Sequence, residues 1–304
     1  MIVAENVHVN FRRGLLGPPI RALDGLNLEV RDGDFFGLVG QNGAGKSTAM
    51  YCFLGLIKPN AGQVRVMGRI PELGSKLYEG VGYLPEEPHY HLYLTVGEAV
   101  RYYASLYGKA APKKAIDDAL ERMGLAEFKT LPLSKCSKGM KQKVGLVQCL
   151  IRETRLLFLD EPTRGLDPLV VVTIREALRD LHRRGTTIVM NSHLLSELEM
   201  LANRVAIIER GKVLVEDELK NLIKLDQDVY RVSFECPAAP PDCLTMAERR
   251  DGVVTGTVPA GRLYEFLEYT RGAGIRLLEC SLKKATLEES VVKIIKGGEP
   301  SANC

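Results

Sequence analysis

The chain has 304 residues, 45% of them hydrophobic, enough for a large core domain and a smaller one. Its 41 basic and 38 acidic side chains leave a formal charge of +3, which argues against binding nucleic acid through a broad basic surface. No apolar run approaches the roughly 18 to 20 residues that cross a bilayer, and residues 1–10 lack the basic start and long apolar stretch of a signal peptide, so a cytoplasmic location is expected.

Residues 2–11 alternate weakly as a strand, and 22–30 make a second strand ending at the Arg31-Asp32-Gly33 turn. A basic loop containing glycine and proline, 12–19, lies between them. The ring of Phe11 can stack on a nucleotide base, although spacing alone favours a core or rim position. The apolar run Phe35-Phe36-Gly37-Leu38-Val39 then leads into Gly40-Gln41-Asn42-Gly43-Ala44-Gly45-Lys46-Ser47-Thr48, with an apolar helix at 49–54. A strand, a tight glycine loop and a helix start make a phosphate cradle. Glycines let the backbone turn its N–H groups toward an anion at the positive end of the helix. Lys46 supplies a mobile cation for the β and γ phosphates, and Ser47 a hydroxyl for Mg²⁺.

A turn at 55–62 precedes a short strand, 63–67, and Val81-Gly82-Tyr83-Leu84-Pro85 reads as a buried strand broken by proline. It delivers Glu86 and Glu87 at the end where polar groups gather near a bound phosphate in a parallel sheet. His89 and His91 form an H-x-H pair with no third ligand at readable spacing, so a solvated loop is preferred to a metal site. Helical periodicity at 95–107, after an N-cap threonine, and again at 112–123 marks a helical insertion in an α/β domain. It closes on Leu133-Ser134-Lys135-Cys136-Ser137-Lys138-Gly139-Met140-Lys141-Gln142-Lys143, where Ser137 can cap a helix, 138–151, that offers a second N-terminus suited to phosphate. Lys135, Lys138, Lys141 and Lys143 form a basic cluster, which taken alone reads as a solvated helix face.

Leu156-Leu157-Phe158-Leu159 reads as a central strand covered on both faces, running straight into Asp160 and Glu161. Asp160 can hold Mg²⁺ directly or through water, and Glu161 can polarise the water that attacks a γ-phosphate. After the loop Thr163-Arg164-Gly165-Leu166-Asp167-Pro168 come an amphipathic helix, 169–184, a buried strand, 186–190, and Asn191-Ser192-His193 at its end. A hairpin over 204–216 turning at Arg210-Gly211 and a short helix, 217–224, complete this part, with a boundary expected at 225–228. Beyond it, strands at 229–236, 252–258 and 275–282 and helices at 261–270 and 286–295 define a small α+β module, with a proline-rich loop at 237–242. The seven cysteines form no C-x-x-C pair, which suits reduced thiols.

Taken together, the cradle (Walker A), the signature-like Cys136-Ser137-Lys138-Gly139-Met140, Leu156 to Asp160 (Walker B) with Glu161, the Gly165-Leu166-Asp167 loop and His193 resemble an ABC transporter ATPase subunit over about residues 2–222. Single-domain bacterial exporter ATPases are the nearest in pattern. The resemblance implies an α/β fold: a P-loop ATPase domain, 1–224, with a parallel sheet core, an antiparallel β subdomain and a helical subdomain, then a small α+β domain, 225–304. It implies that Phe11 stacks on adenine, that Asn42, Gly43, Gly45, Lys46, Ser47 and Thr48 bind the ATP phosphates and Mg²⁺, and that Ser137 and Gly139 contact the γ-phosphate held by the other protomer. Glu161 corresponds to the residue that positions water, His193 to the γ-phosphate sensor, and Asp167 to a residue of a loop that communicates across the dimer.

In that family two domains sandwich two ATP molecules and drive an integral membrane permease. A cytoplasmic protein peripheral on the inner face of the membrane is therefore expected, as a homodimer or with a paralogous ATPase subunit, and residues 83–95 would pass movement to the permease. Two departures stand out. Glu86 occupies a position that is usually glutamine, where a carboxylate can still bind Mg²⁺ but brings charge near the γ-phosphate. Cys136 and Lys138 replace the usual leucine and glycine. Ala285-Thr286-Leu287-Glu288-Glu289-Ser290-Val291 resembles a segment that closes many exporter ATPases. The alternative is a soluble ABC-type ATPase acting on ribosomes or nucleic acid, but the chain has neither the second ATPase domain nor the long coiled-coil insertion usual there. A GTPase is disfavoured by the lack of an N-K-x-D motif.

Overall fold

A computed structural model describes residues 1–12, 19–72, 74–106, 111–223, 225–235, 241–284 and 286–295. The chain folds into two compact units, Met1–Leu219 together with the described residues Ile294 and Ile295, and Lys220–Lys293.

The first unit opens with β1 (Ile2–Arg12), β2 (Pro19–Val30), β3 (Phe35–Val39), α1 (Lys46–Phe53), β4 (Ala61–Val66) and β5 (Val81–Leu84). Three helices follow, α2 (Val96–Ser105), α3 (Lys113–Arg122) and α4 (Lys138–Leu150). The chain then alternates through β6 (Leu156–Asp160), α5 (Pro168–Arg183), β7 (Thr187–Asn191), α6 (Leu195–Leu201), β8 (Arg204–Glu209) and β9 (Lys212–Glu218). Every residue of β3, β6 and β7 is buried, as their unbroken apolar runs require of strands covered on both faces. They form the middle of a six-stranded sheet of order β5-β6-β7-β3-β8-β9, parallel except for β9, which returns from β8 through Arg210 and Gly211, both at positive φ. Phosphate-binding loops belong at the carboxyl ends of such strands.

A separate antiparallel sheet, β2-β1-β4, packs with α1 against this core: Leu23, Leu26, Val64 and Val66 share one apolar cluster with Met50, Phe53, Phe36 and Phe158. The helical part is organised by α4, on which α2 and α3 both pack. The expected N-cap threonine is Thr95, in a capping box with Glu98 that satisfies the first backbone donors of α2 reciprocally. Buried Arg204 ties the sheet together, donating to Asp34 at 2.6 Å and to Glu216 at 2.5 Å, with its guanidinium over the Phe36 ring.

After α7 (Leu219–Leu222), the second unit contains β10 (Leu225–Glu235), β11 (Thr245–Arg250), β12 (Val253–Pro259), α8 (Leu263–Gly272), β13 (Leu277–Lys284) and α9 (Leu287–Ile295). Its antiparallel sheet has the order β11-β12-β10-β13, and Val232, Phe234, Val254, Val258 and Phe266 form its core.

The structure corrects several element boundaries. Helix α1 begins inside the glycine motif, at Lys46 rather than at 49, because the loop itself supplies the first helical N–H groups. Residues 217 and 218 continue β9, where the Arg204–Glu218 and Val205–Asp217 pairs extend the ladder, so the short helix shrinks to α7. Strand β11 has no counterpart in the sequence reading. Thr245-Met246-Ala247-Glu248-Arg249-Arg250 is an edge strand whose polar composition hides the alternation that marks a half-buried one. Residues 237–240 of the loop expected at 237–242 and most of that at 12–19 lie outside the described residues, as do Tyr107 and residues 296–304.

Candidate active site

The cradle connects the carboxyl end of β3 to α1. Gly40 adopts φ +158°, and a Cβ there would lie 2.2 Å from the Ile208 carbonyl oxygen; at Gly45, φ +108°, a Cβ would lie 2.6 Å from the Ala22 carbonyl oxygen. Any side chain at either position would drive the loop off the β-structure beneath it. Gly43 differs: φ is +81° and no described residue lies within 4 Å of its would-be Cβ, so the loop is open on that side. Asn42 and Gly43 are exposed, Gly45 and Lys46 buried, Ser47 and Thr48 half-buried. Lys46 Nζ donates to the carbonyl oxygens of Gly40 at 2.7 Å and Gln41 at 3.1 Å, spanning the loop from within. Burial pushes this ammonium below its ordinary pKa, while the charges of Glu161 and Asp160 pull the other way.

Those carboxylates arrive from β6. In the parallel register Asp160 lies beside Asn191 of β7, and Asn191 Nδ2 donates to Asp160 Oδ1 at 2.6 Å and to Ser47 Oγ at 3.4 Å. Ser47, Asp160 and Asn191 therefore form one polar cluster linking α1, β6 and β7. Asn191 Oδ1 is buried and has no hydrogen-bond partner among the described residues, a free acceptor on a residue of this cluster. Burial pushes the Asp160 carboxyl up; the Asn191 hydrogen bond opposes this, the charges of Glu161 and Glu86 add to it, and Lys46 opposes it.

Glu161 leaves the strand in the left-handed region, φ +48°, a strained backbone for a residue with a Cβ. Its N–H donates to Asn191 O at 2.9 Å, which holds the turn, and its carboxylate Oε2 meets His193 Nδ1 at 2.5 Å and the His193 N–H at 3.4 Å. The acid that ends β6 and the histidine beyond β7 are thus one pair.

Other residues named from the sequence lie elsewhere. Phe11 is on β1, 43% exposed, so its ring is available to a flat partner. Ser137 caps α4 and accepts from the Met140 N–H at 3.2 Å. Gly139 meets Val170 of α5, where a Cβ would approach within 3.1 Å. The signature segment therefore sits against α5, whose N-cap is Asp167, accepting from the Leu169 N–H at 2.9 Å. Glu86 Oε1 meets Arg164 NH1 at 2.7 Å. The His91 ring packs with Tyr93, Tyr102 and Tyr103.

Three residues of this region are not singled out by the sequence. Asn191 has a signal, since it ends a buried strand adjacent to the one ending in Asp160. Gln142 is fully buried in α4 and donates to the Glu86 carbonyl at 2.7 Å, and Arg164 pairs with Glu86; both depend on contacts between segments distant in sequence.

The raised pKa of Asp160 gives a signed expectation. The folded chain holds this proton more tightly than the unfolded chain, so its contribution to stability is fully present below the ordinary carboxylate range and is lost as pH rises through the raised value. Asp160→Asn is therefore expected to raise Tm at pH 7, measured with chelator and without nucleotide, by the equivalent of about 1 kcal/mol, and to give no gain below about pH 3.5. A lower Tm at pH 7 would mean that Asp160 is a net stabiliser.

The family model described as "ABC transporter" matches residues 23–164. The bacitracin transport ATP-binding protein BcrA of Bacillus licheniformis is 33% identical over 287 residues, covering 91% of this chain and 94% of the relative. A fluoroquinolones export ATP-binding protein of Mycobacterium tuberculosis is 36% identical over 215 residues, covering 70% of each chain. A solved structure described as the ATP-binding subunit of an ABC transporter superposes with a TM-score of 0.64 at 27% identity, covering 73% of this chain and 91% of the other. A nucleotide-binding α/β domain with a glycine cradle facing two strand-end carboxylates is the class the fold and site define. The chain belongs to the ABC transporter family, as an ATP-binding subunit with ATP hydrolase activity.

Proposed function

We propose that the chain is the ATPase subunit of an export system, working as a dimer on the cytoplasmic face of a membrane and driving a separate permease. The observation that carries the hydrolytic part is the convergence of Lys46, Ser47, Asp160, Glu161, Asn191 and His193 on one cradle. Transport is supported by the relative named for bacitracin transport, and export by the relative named for fluoroquinolones export. Among the described residues no helix is long and apolar enough to cross a membrane; the proposed pathway belongs to the permease. No observation favours a ribosomal or nucleic-acid substrate.

In this reading the backbone N–H groups of residues 42–48 face the phosphates at the positive end of α1, and Lys46 exchanges its loop carbonyls for phosphate oxygens. Phe11 stacks on adenine. Glu161 orients the attacking water, its carboxylate held by His193, whose ring then turns toward the γ-phosphate. Ser137 and Gly139 act on the nucleotide of the other protomer, which accounts for their place away from the cluster around Lys46.

The donor set fits a hard divalent cation: the Ser47 hydroxyl and the Asp160 and Glu86 carboxylates are all oxygen ligands, and the orphan Asn191 Oδ1 can accept from a metal-bound water. Ser47 and Asp160 would hold Mg²⁺, with Glu86 able to offer only the oxygen that Arg164 leaves free. When bound, the ion neutralises phosphate charge. We place the domain boundary at 224/225 and assign the second domain to dimer support or partner contact.

Affinity purification of the tagged chain from detergent-solubilised native membranes, with mass spectrometry of what accompanies it, tests the transport reading. A stoichiometric multi-span membrane protein is expected. A soluble protein recovered with ribosomes, whose ATPase they stimulate, would overturn it.

A further inference from the structure

We propose that Arg164 is a positioning residue for ATP hydrolysis, acting by holding and neutralising Glu86 so that a carboxylate can stand where a polyphosphate must be accepted. The inference rests on the ATPase reading and adds a residue to that site.

Asp160 stands between two other carboxylates here, since the charges of both Glu161 and Glu86 reach it. Lys46 is the cation that answers Asp160 and Glu161. Glu86 has its own, in Arg164 NH1 at 2.7 Å. Both members are substantially exposed, at 35% for Glu86 and 52% for Arg164. A pair this exposed adds little to fold stability, so its effect is sought in what its charges do to a neighbouring anion.

Its anchoring supports that reading. The Arg164 N–H donates to the Glu161 carbonyl at 3.2 Å, so the guanidinium springs from the turn that aims the hydrolytic carboxylate. Its neighbour Thr163 is buried and donates its hydroxyl to buried Glu197. On the other side, Gln142 of α4 donates to the Glu86 carbonyl at 2.7 Å and the Pro85 carbonyl at 3.4 Å. The ion pair thus joins the turn of Glu161 to the β5 exit, which is itself clamped to the helix carrying Ser137 and Gly139. Without Arg164, Glu86 would present an unneutralised charge to the phosphates and this crosslink would be cut.

A double-mutant cycle on the full chain tests this, with kcat and KM for MgATP as readouts. Arg164→Ala is expected to raise KM about tenfold with a smaller loss in kcat, and Glu86→Gln/Arg164→Ala to recover most of the loss, a coupling of about tenfold. The KM defect should shrink as salt rises, because these charges face solvent. If Arg164→Ala lowers Tm, Arg164→Gln takes its place in the cycle under the same criteria. A double variant as impaired as Arg164→Ala, or an Arg164→Ala enzyme with wild-type KM, overturns the proposal. A wild-type chain that neither binds nor hydrolyses ATP would instead overturn the reading of the site as a whole.

Discussion

Glu161→Gln is expected to bind ATP with near wild-type affinity and hydrolyse it about 1,000-fold more slowly, within the range for loss of a positioned base or water-orienting carboxylate. The geometry supports a selective effect. The left-handed backbone at Glu161 is held by its N–H bond to Asn191 O, a main-chain contact that the substitution keeps. Glutamine is nearly isosteric and retains one oxygen for the His193 hydrogen bonds. The charge that polarises water is lost, while Lys46, Ser47 and Asp160 remain in place.

Comparing nucleotide binding with single-turnover hydrolysis on the purified full-length variant checks this. Because ATP would be bound and not consumed, the variant should also show a larger nucleotide-dependent dimer fraction than wild type. Hydrolysis within a few-fold of wild type would remove Glu161 from its assigned role. Equal loss of binding and turnover would mean that its main contribution is to shape the cradle.

The parts of this site that can be read from the sequence are those whose chemistry is local. Gly40 to Thr48 announces itself because three glycines, a helix start and a lysine all fall within nine consecutive positions. Asp160 and Glu161 do so because four buried residues lead directly into them. His193 is legible as a strand-end residue, but its pairing with Glu161 follows from β6 and β7 being neighbours, which is a property of strand order. The same holds more strongly for Asn191, Gln142 and Arg164. Each acts on a partner dozens of positions away, so no spacing rule reaches it. Glu86 shows the limit well: as an isolated departure from glutamine it suggests a metal ligand, and only the fold reveals the arginine on its carboxylate. In the second unit the apolar alternation of β12 is visible in the sequence, whereas β11, on the edge and polar, requires its neighbour to define it.

Lys46→Met is the other substitution with a large expected effect, and it separates function from stability. The side chain is 7% exposed, its pKa is lowered by burial, and its ammonium is satisfied by the Gly40 and Gln41 carbonyls. Methionine fills similar space without charge. The two carbonyls lose a donor, but Gln41 is exposed and Gly40 half-buried, so water can replace it, and one buried charge disappears, so Tm should change little. ATP affinity should fall about 100-fold, the upper end of what one charge-assisted hydrogen-bonding group contributes, and hydrolysis should fall below detection at substrate levels that saturate the wild type. Calorimetric titration with a non-hydrolysable ATP analogue, paired with a thermal melt, distinguishes the outcomes. A large fall in Tm would assign Lys46 to holding the loop together and not to the phosphates. Unchanged affinity would mean that the backbone N–H groups and the α1 dipole suffice, and that the lysine acts only as the bond to the γ-phosphate breaks.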